Sequence, residues 1–448
     1  MRPLFSAPGK PLIHSHCVAI AVALCAFPLA SHAFQTTDDI VWPDSGRFPA
    51  YPTVDDNANG HNIHLWVSGG LYHDDNLFRV SGSVDPHSIG INNGEADTIS
   101  RVGLGLKADL PVSRQHLVIE ASADSYHYEH YSLLNNTSSR LAGTWLWQAG
   151  NQWSGQAGVS TQRYLADFGE LQAPLQDMVT ESHLFGSAIY ALSPSWHLHA
   201  GTESVDYRHD LAIANLEDNT VTAVTVGADY VTATFNTLGA QVKYSNGRYP
   251  NSQLVGGALI NNDFHETETS LVTHWQVTGK SIIDARLGYT NRRHDQIGQR
   301  DFSGATGRFD YTYLTGTKIA FVGQAWRELR AYEALPGSFT PTFGDFTASY
   351  VLSDGVSFGP QWAPTSTITV QAELLWEKRS FKGDPTVALT GLPDRQDIYH
   401  GAQLGLGYKP LQNLRLALAF DHGNRSSNYF GRDFIFNAIY ANARYTFY

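Results

Sequence analysis

Charged and aromatic side chains recur in this chain at every second position, with apolar residues between them. Glu120, Asp124, Arg286, Glu373 and Arg444 stand on the parity opposite an apolar row, as do Trp66, Tyr72, Tyr126, Trp326 and Tyr440. On an extended strand that period separates two faces, so ions and rings share one side and aliphatic groups the other. Two chemistries suit such a polar face. Carboxylates and guanidinium groups on adjacent strands brace a wall, whereas carboxylates beside aromatic faces line a conduit for hydrated solutes and grip sugar rings. These ten residues are the candidate lumen or sugar contacts, and both uses stay open for them.

Bond chemistry finds less support. Gly103-Leu104-Gly105 and Gly405-Leu406-Gly407 have no following helix to hold a phosphate, so they read as strand glycines. His197 and His199 share a face at period two but show no third ligand, and Glu266 and Glu268 read as neighbouring wall charges. The expectation is therefore no catalytic residue, no metal and no cofactor. A membrane-embedded hydrolase stays a remote alternative, since it needs serine, histidine and acid brought together in space.

The elements that must position these residues are strands joined in hairpins. Val102, Leu104, Leu106, Ala108 and Leu110 lead through Pro111-Val112-Ser113 to Leu117, Ile119, Ala121 and Ala123. Short breaks of the same kind occur at Gly150-Asn151, Ser193-Pro194-Ser195, Thr232 to Thr234, Gly279-Lys280, Gly316, Pro364-Thr365 and Lys409-Pro410. Between the hairpins lie longer polar connections: 73–95, 129–137, 165–178, 209–219, 249–263, 294–303, 332–343, 382–395 and 425–432. Short turns alternating with long loops is the asymmetry of a transmembrane β-barrel. The stretch Phe346 to Trp362 keeps one parity and reads as a single strand with a kink or bulge at Asp354-Gly355, which gives 18 strands from residue 61 onward. Trp145, Trp147, Trp153, Trp196, Trp275, Trp362 and Tyr408 gather near the short turns, as an aromatic girdle at headgroup level does.

Residues 1 to 33 read as a cleaved secretory signal, with Arg2 and Lys10 before the apolar run Cys17 to Ala30 and Ser31-His32-Ala33 at the cleavage site. That run is shorter than the roughly 20 residues a spanning helix needs. Residues 34 to 60 read as a flexible periplasmic lead-in. Cleavage removes both cysteines and two of the 30 basic residues, leaving 28 against 42 acidic, or −14. Such a balance argues against nucleic acid. The expected setting is the outer membrane of a Gram-negative bacterium, with lipid around the barrel.

Two stretches and the last strand carry a resemblance. Tyr72-His73-Asp74-Asp75-Asn76-Leu77-Phe78-Arg79, and Gly359-Pro360-Gln361-Trp362-Ala363-Pro364-Thr365 after Val351, resemble the EpsL-type outer-membrane proteins of exopolysaccharide biosynthesis, within the broader β-barrel porin group. The terminal strand, with Ile439, Ala441, Ala443, Tyr445 and Phe447 in one apolar row, is similar to the signal read by the barrel assembly machinery. The resemblance implies a barrel that serves polysaccharide export, with polysaccharide and other secretion components as partners. The alternative is a general or substrate-selective diffusion porin for small solutes.

Overall fold

The computed structural model describes residues 63–255, 258–296, 298–316, 318–330, 350–382 and 393–447. The expected signal, the lead-in, the connection 332–343, most of 382–395 and Tyr448 lie outside these.

The strands run β1 Ile63–Asp74, β2 Asp97–Val112, β3 Gln115–Tyr128, β4 Asn136–Ala149, β5 Trp153–Leu165, β6 Met178–Ser193, β7 Trp196–His209, β8 Asn219–Val231 and β9 Thr237–Arg248. A small hairpin follows, β10 Gln253–Val255 and β11 Ala258–Ile260. The wall resumes with β12 Phe264–Thr278, β13 Ser281–His294, β14 Phe302–Leu314, β15 Ile319–Arg330, β16 Tyr350–Trp362, β17 Ile368–Lys382, β18 Gln396–Leu411, β19 Leu414–Ser427 and β20 Phe434–Phe447. All but the hairpin form one 18-stranded antiparallel sheet in sequential order. It closes where β1 pairs with β20, Leu65 facing Phe447 and Asp74 facing Ala438. Closure satisfies each strand on both sides, which is what a sheet in hydrocarbon requires.

Alternation sorts the two faces. Leu71, Val102, Leu104, Leu184, Leu271, Leu287 and Leu374 stand exposed on the outside. Trp145, Trp153, Trp196, Trp275, Trp362 and Tyr408 are exposed there too, close to the short turns. Trp153 packs on Tyr190 and Trp196 on Tyr230, with ring centroids 4.7 and 5.4 Å apart. An apolar exterior with an aromatic girdle is the surface of a transmembrane barrel.

Two local expectations are corrected. The Asp354-Gly355 step carries no bulge: β16 keeps one register with β15 from Val351 to Trp362. Gly355 is there because the Trp326 indole lies over it, and a Cβ would sit 2.2 Å from that ring. Lys409-Pro410 belongs to β18, whose register with β19 shifts between Tyr408 and Leu411, so the turn falls at 412–413. The long connection 249–263 carries the β10–β11 hairpin.

Candidate functional site

The fully buried Asp74, Asp97, Asp177, Asp397 and Arg425 all lie at the long-loop end of the barrel. The stretch Tyr72 to Arg79 turns the chain from β1 into the loop 75–96. Asp74, fully buried, accepts from Tyr72 Oη at 2.5 Å, from the Asn76 backbone at 2.9 Å and from Arg79 Nη1 at 2.8 Å. Asn76 donates to the Val80 and Ile435 carbonyls, and Asp75 accepts from the backbone and side chain of Asn437. The Arg79 guanidinium lies 3.6 Å from the Phe436 ring centre, and Tyr72 stacks on Tyr440 at 4.5 Å. Together these contacts fasten the first strand to the last, directly above the seam where the barrel closes.

From there the loop folds inward. Leu77, Phe78, Val80 and Ile91 form an apolar cluster with Ile99, Tyr128, Tyr131, Leu134 and Phe168. Phe168 comes from the loop 166–177 between β5 and β6 and meets Phe78 edge-on at 5.0 Å. That loop carries a one-turn helix, Phe168–Leu171, whose first turn is capped by Asp167 accepting from the Gly169 backbone. Its neck is closed by Ala166 N donating to the Asp177 carbonyl.

The same turn is held from another part of the wall. Glu170 accepts from Arg395 Nη1 and Nη2 at 2.8 and 3.1 Å and from Arg425 Nη1 at 2.5 Å. Arg425 also donates to the Gly169 carbonyl, and Arg432 to the Glu170 carbonyl and to Gln172. Arg395 precedes β18, Arg425 lies on β19 and Arg432 on the loop after it. Between them and β5 stand β20, β1, β2, β3 and β4. The loop is therefore a strap drawn across the mouth of the barrel. Burial pushes the Glu170 carboxyl up, but Arg395, Arg425 and Arg432 outweigh it and hold the group well below the usual carboxylate range.

Behind Glu170 the cluster continues. Asp397 pairs with Arg395 at 2.5 Å, and fully buried Glu377 takes Arg379 at 2.9 Å and Arg330 at 3.3 Å. Glu377 also accepts from Ser353 Oγ, which in turn accepts from Trp326 Nε1 at 2.8 Å.

The candidates from sequence all lie on the inner face; the β1–β20 seam brings Tyr72 onto Tyr440 and Arg444 over Trp66, whereas Arg286, Trp326 and Glu373 stand apart on β13, β15 and β17. Asp124 sits 3.1 Å from Arg101 Nε in an ion-pair contact without hydrogen-bond alignment, and Glu120 lies 3.3 Å from Lys107. Arg286 bridges Glu268 at 2.6 Å and Glu328 at 2.9 Å. Arg444 lies over the Trp66 ring at 4.1 Å, and Glu373 is buried in β17. Trp66 covers Gly105 as Trp326 covers Gly355. Tyr126 packs beside the apolar cluster of the first loop. Trp326 and Tyr440, 6 % and 8 % exposed, belong to the wall and present no open face to a ring. His199 lies 2.6 Å from Asp229, Glu266 pairs with Arg292 at 2.7 Å, and no cluster of metal ligands occurs among the described residues. Sequence reasoning passed over Phe168, Glu170, Arg395, Arg425 and Arg432, because only the folded strap brings them together.

No protein-family model and no curated protein matches the chain. Among solved structures, the outer membrane protein OpdK from Pseudomonas aeruginosa is similar, at 11 % identity over 86 % of this chain and 99 % of its own, TM-score 0.46. OccK9 (OpdG) of the same organism gives 13 %, 86 %, 98 % and 0.45, and a BenF-like porin from Pseudomonas fluorescens Pf-5 gives 10 %, 86 %, 98 % and 0.45. From its own closed sheet and apolar exterior, this chain is a transmembrane β-barrel of the outer-membrane kind.

Proposed function

We propose that the protein is a selective diffusion channel of the outer membrane for small polar solutes. One observation carries this reading: the inner face is charged and stays partly open to water, while the strap 166–177 spans the mouth. Side chains about a third exposed occur on opposite walls, at Lys107 and Glu120 and again at His274 and Asp284. Burying such groups in lipid costs roughly 2–4 kcal/mol for an Arg or Lys at the midplane, so they line an aqueous interior. A strap pinned at both ends suits a small solute better than a polymer, which needs an unobstructed bore.

Liposomes containing the purified protein should swell in monosaccharides and progressively less in longer oligosaccharides. Failure to swell, together with silent planar bilayers, would sink the channel reading. A role in exopolysaccharide export is the second reading, supported by the resemblance of 72–79, 351–365 and the last strand. Within it, Asp74, Asn76 and Arg79 already have structural work at the seam. Loss of surface polysaccharide in a deletion strain, with small-sugar uptake intact, would favour that second reading.

A further inference from the structure

The two ends of the barrel differ in the sign of their charge. Every long connection between wall strands holds at least one Asp or Glu, from Asp75 in the first to Asp433 in the last. The short turns, 113–114, 150–152, 194–195, 232–236, 279–280, 315–318, 363–367 and 412–413, hold none. Cations stand on three of them, Arg114, Lys280 and Lys318, and all three residues are exposed. The acids nearest to this rim, Asp109, Asp229 and Asp284, belong to the inner face. Each of them meets a histidine there, His116 at 3.2 Å, His199 at 2.6 Å and His274 at 2.6 Å. The rim is therefore positive in a chain whose net charge is −12.

The aromatic girdle sets the depth of these cations. Trp145, Trp275 and Trp362 are exposed on the outer face beside the same turns. Trp145 Nε1 donates to Gln115 Oε1 at 3.0 Å, one residue on from Arg114. Lys280 lies in the turn that ends β12, the strand of Trp275 and of exposed Val277. Lys318 precedes Ile319, which faces Trp362 across β15 and β16, and its carbonyl accepts from Ala363 N at 2.7 Å. Amphipathic rings settle at headgroup level, so cations within a few residues of them sit at the depth of the lipid phosphates. A soluble acidic partner would explain the charge but not the rings.

We propose that this rim is a docking surface for the anionic headgroups of glycerophospholipids in the leaflet that the short turns face. Arg114 donates to the Gly150 carbonyl at 2.7 Å and Lys318 Nζ to the Pro364 carbonyl at 2.7 Å, so both lie along the circumference from one turn to the next. Each keeps further donors for a phosphate oxygen. Lys280 Nζ meets no partner among the described residues, and its compact charge is open to a headgroup. Cations beside an anionic lipid surface add their attractions, whereas the acidic long-loop end repels the same headgroups, so the preference has a side. The surface needs only the membrane-spanning barrel and holds whether or not the lumen conducts.

Spin-labelled phosphatidylglycerol and phosphatidylcholine are the probes, each at trace level in phosphatidylcholine vesicles that contain the full-length protein. The motionally restricted fraction of the spectrum reads the lipid held against the barrel. Phosphatidylglycerol should be preferred by roughly twofold or more at low salt. That preference should fall towards parity in 1 M salt, where the screening length is about 3 Å. The Arg114→Gln, Lys280→Gln, Lys318→Gln triple variant should lose it at low salt. Arg163→Gln with Arg293→Gln, which removes two exposed cations from the other end, should keep it. Equal association of the two lipids with wild type, or an undiminished preference in the triple variant, would overturn the proposal. So would a preference lost only in the Arg163, Arg293 variant. Arg114 and Lys318 each hold a neighbouring turn, so the triple variant can fail to give heat-modifiable protein. Lys280→Gln alone then decides, a reduced preference supporting the surface and an unchanged one ending it.

Discussion

Asp74 serves three donors at once and is fully buried, so its carboxylate is closed off from a solute. Its main partner, Arg79, is 3 % exposed and holds a left-handed backbone, φ 55°, which favours glycine. That conformation persists because Asp74, the Asn76 carbonyl and the Phe436 ring all grip the same side chain. Asp74→Ala leaves a buried guanidinium without its counter-charge, a loss of roughly 3–5 kcal/mol. The variant should lose its heat-modifiable form at a lower temperature, with Asp74→Asn falling between it and wild type. Equal unfolding temperatures for all three would contradict the fastening role. Trp326 teaches the complementary lesson. Period two placed it on the inner face correctly, but its packing on Gly355 and its bond to Ser353 make it a brace for Glu377. That use was not legible, because it depends on which glycine of the neighbouring strand the register sets opposite.

Strands and turns could be read locally, and the strap could not. Alternation needs only near neighbours, so β2–β3 or β6–β7 show in the sequence with their turns within a residue or two. The strap looked like an ordinary polar connection, since Glu170 finds Arg425 255 positions further on. Its pH response follows from the sign of the Glu170 shift. The folded group titrates below its unfolded value near 4.3, so the latch contributes fully above that value. It weakens as pH falls towards the lower, folded value. Conductance should therefore stay flat from pH 8 to 5 as far as the strap is concerned, then rise in stronger acid as Glu170 takes up a proton. Glu170→Gln should already sit at the raised level at neutral pH and lose that acid step. An identical acid step in both proteins would show that other groups open the mouth.

For the whole molecule, closure is the property that the individual strands cannot supply. Seventeen of the eighteen strand pairings join neighbours in sequence or adjoin the β10–β11 insertion; the pairing of β1 with β20 alone spans the chain. It brings Leu65 to Phe447, Val67 to Tyr445 and Leu71 to Ala441, an apolar outer row beside a polar inner one that includes Ser68 and Arg444. Removing residues 445 to 448 deletes the last rows of that seam and of the β19 pairing, where Leu414 faces Tyr445. Backbone groups at the start of β1 would then face hydrocarbon without partners, at several kcal/mol each. A lipid-side charge is a milder injury. Leu418→Arg places one cation on an exposed outer position of β19, at up to roughly 2–4 kcal/mol, and leaves every backbone pairing in place. The truncated chain should thus give no heat-modifiable band and be digested by protease in the periplasm. The Leu418→Arg chain should assemble with a lowered unfolding temperature. A truncated protein that migrates and resists protease like wild type would mean that the seam above it, from Asn442 to the Asp74 contacts, suffices to hold the barrel shut.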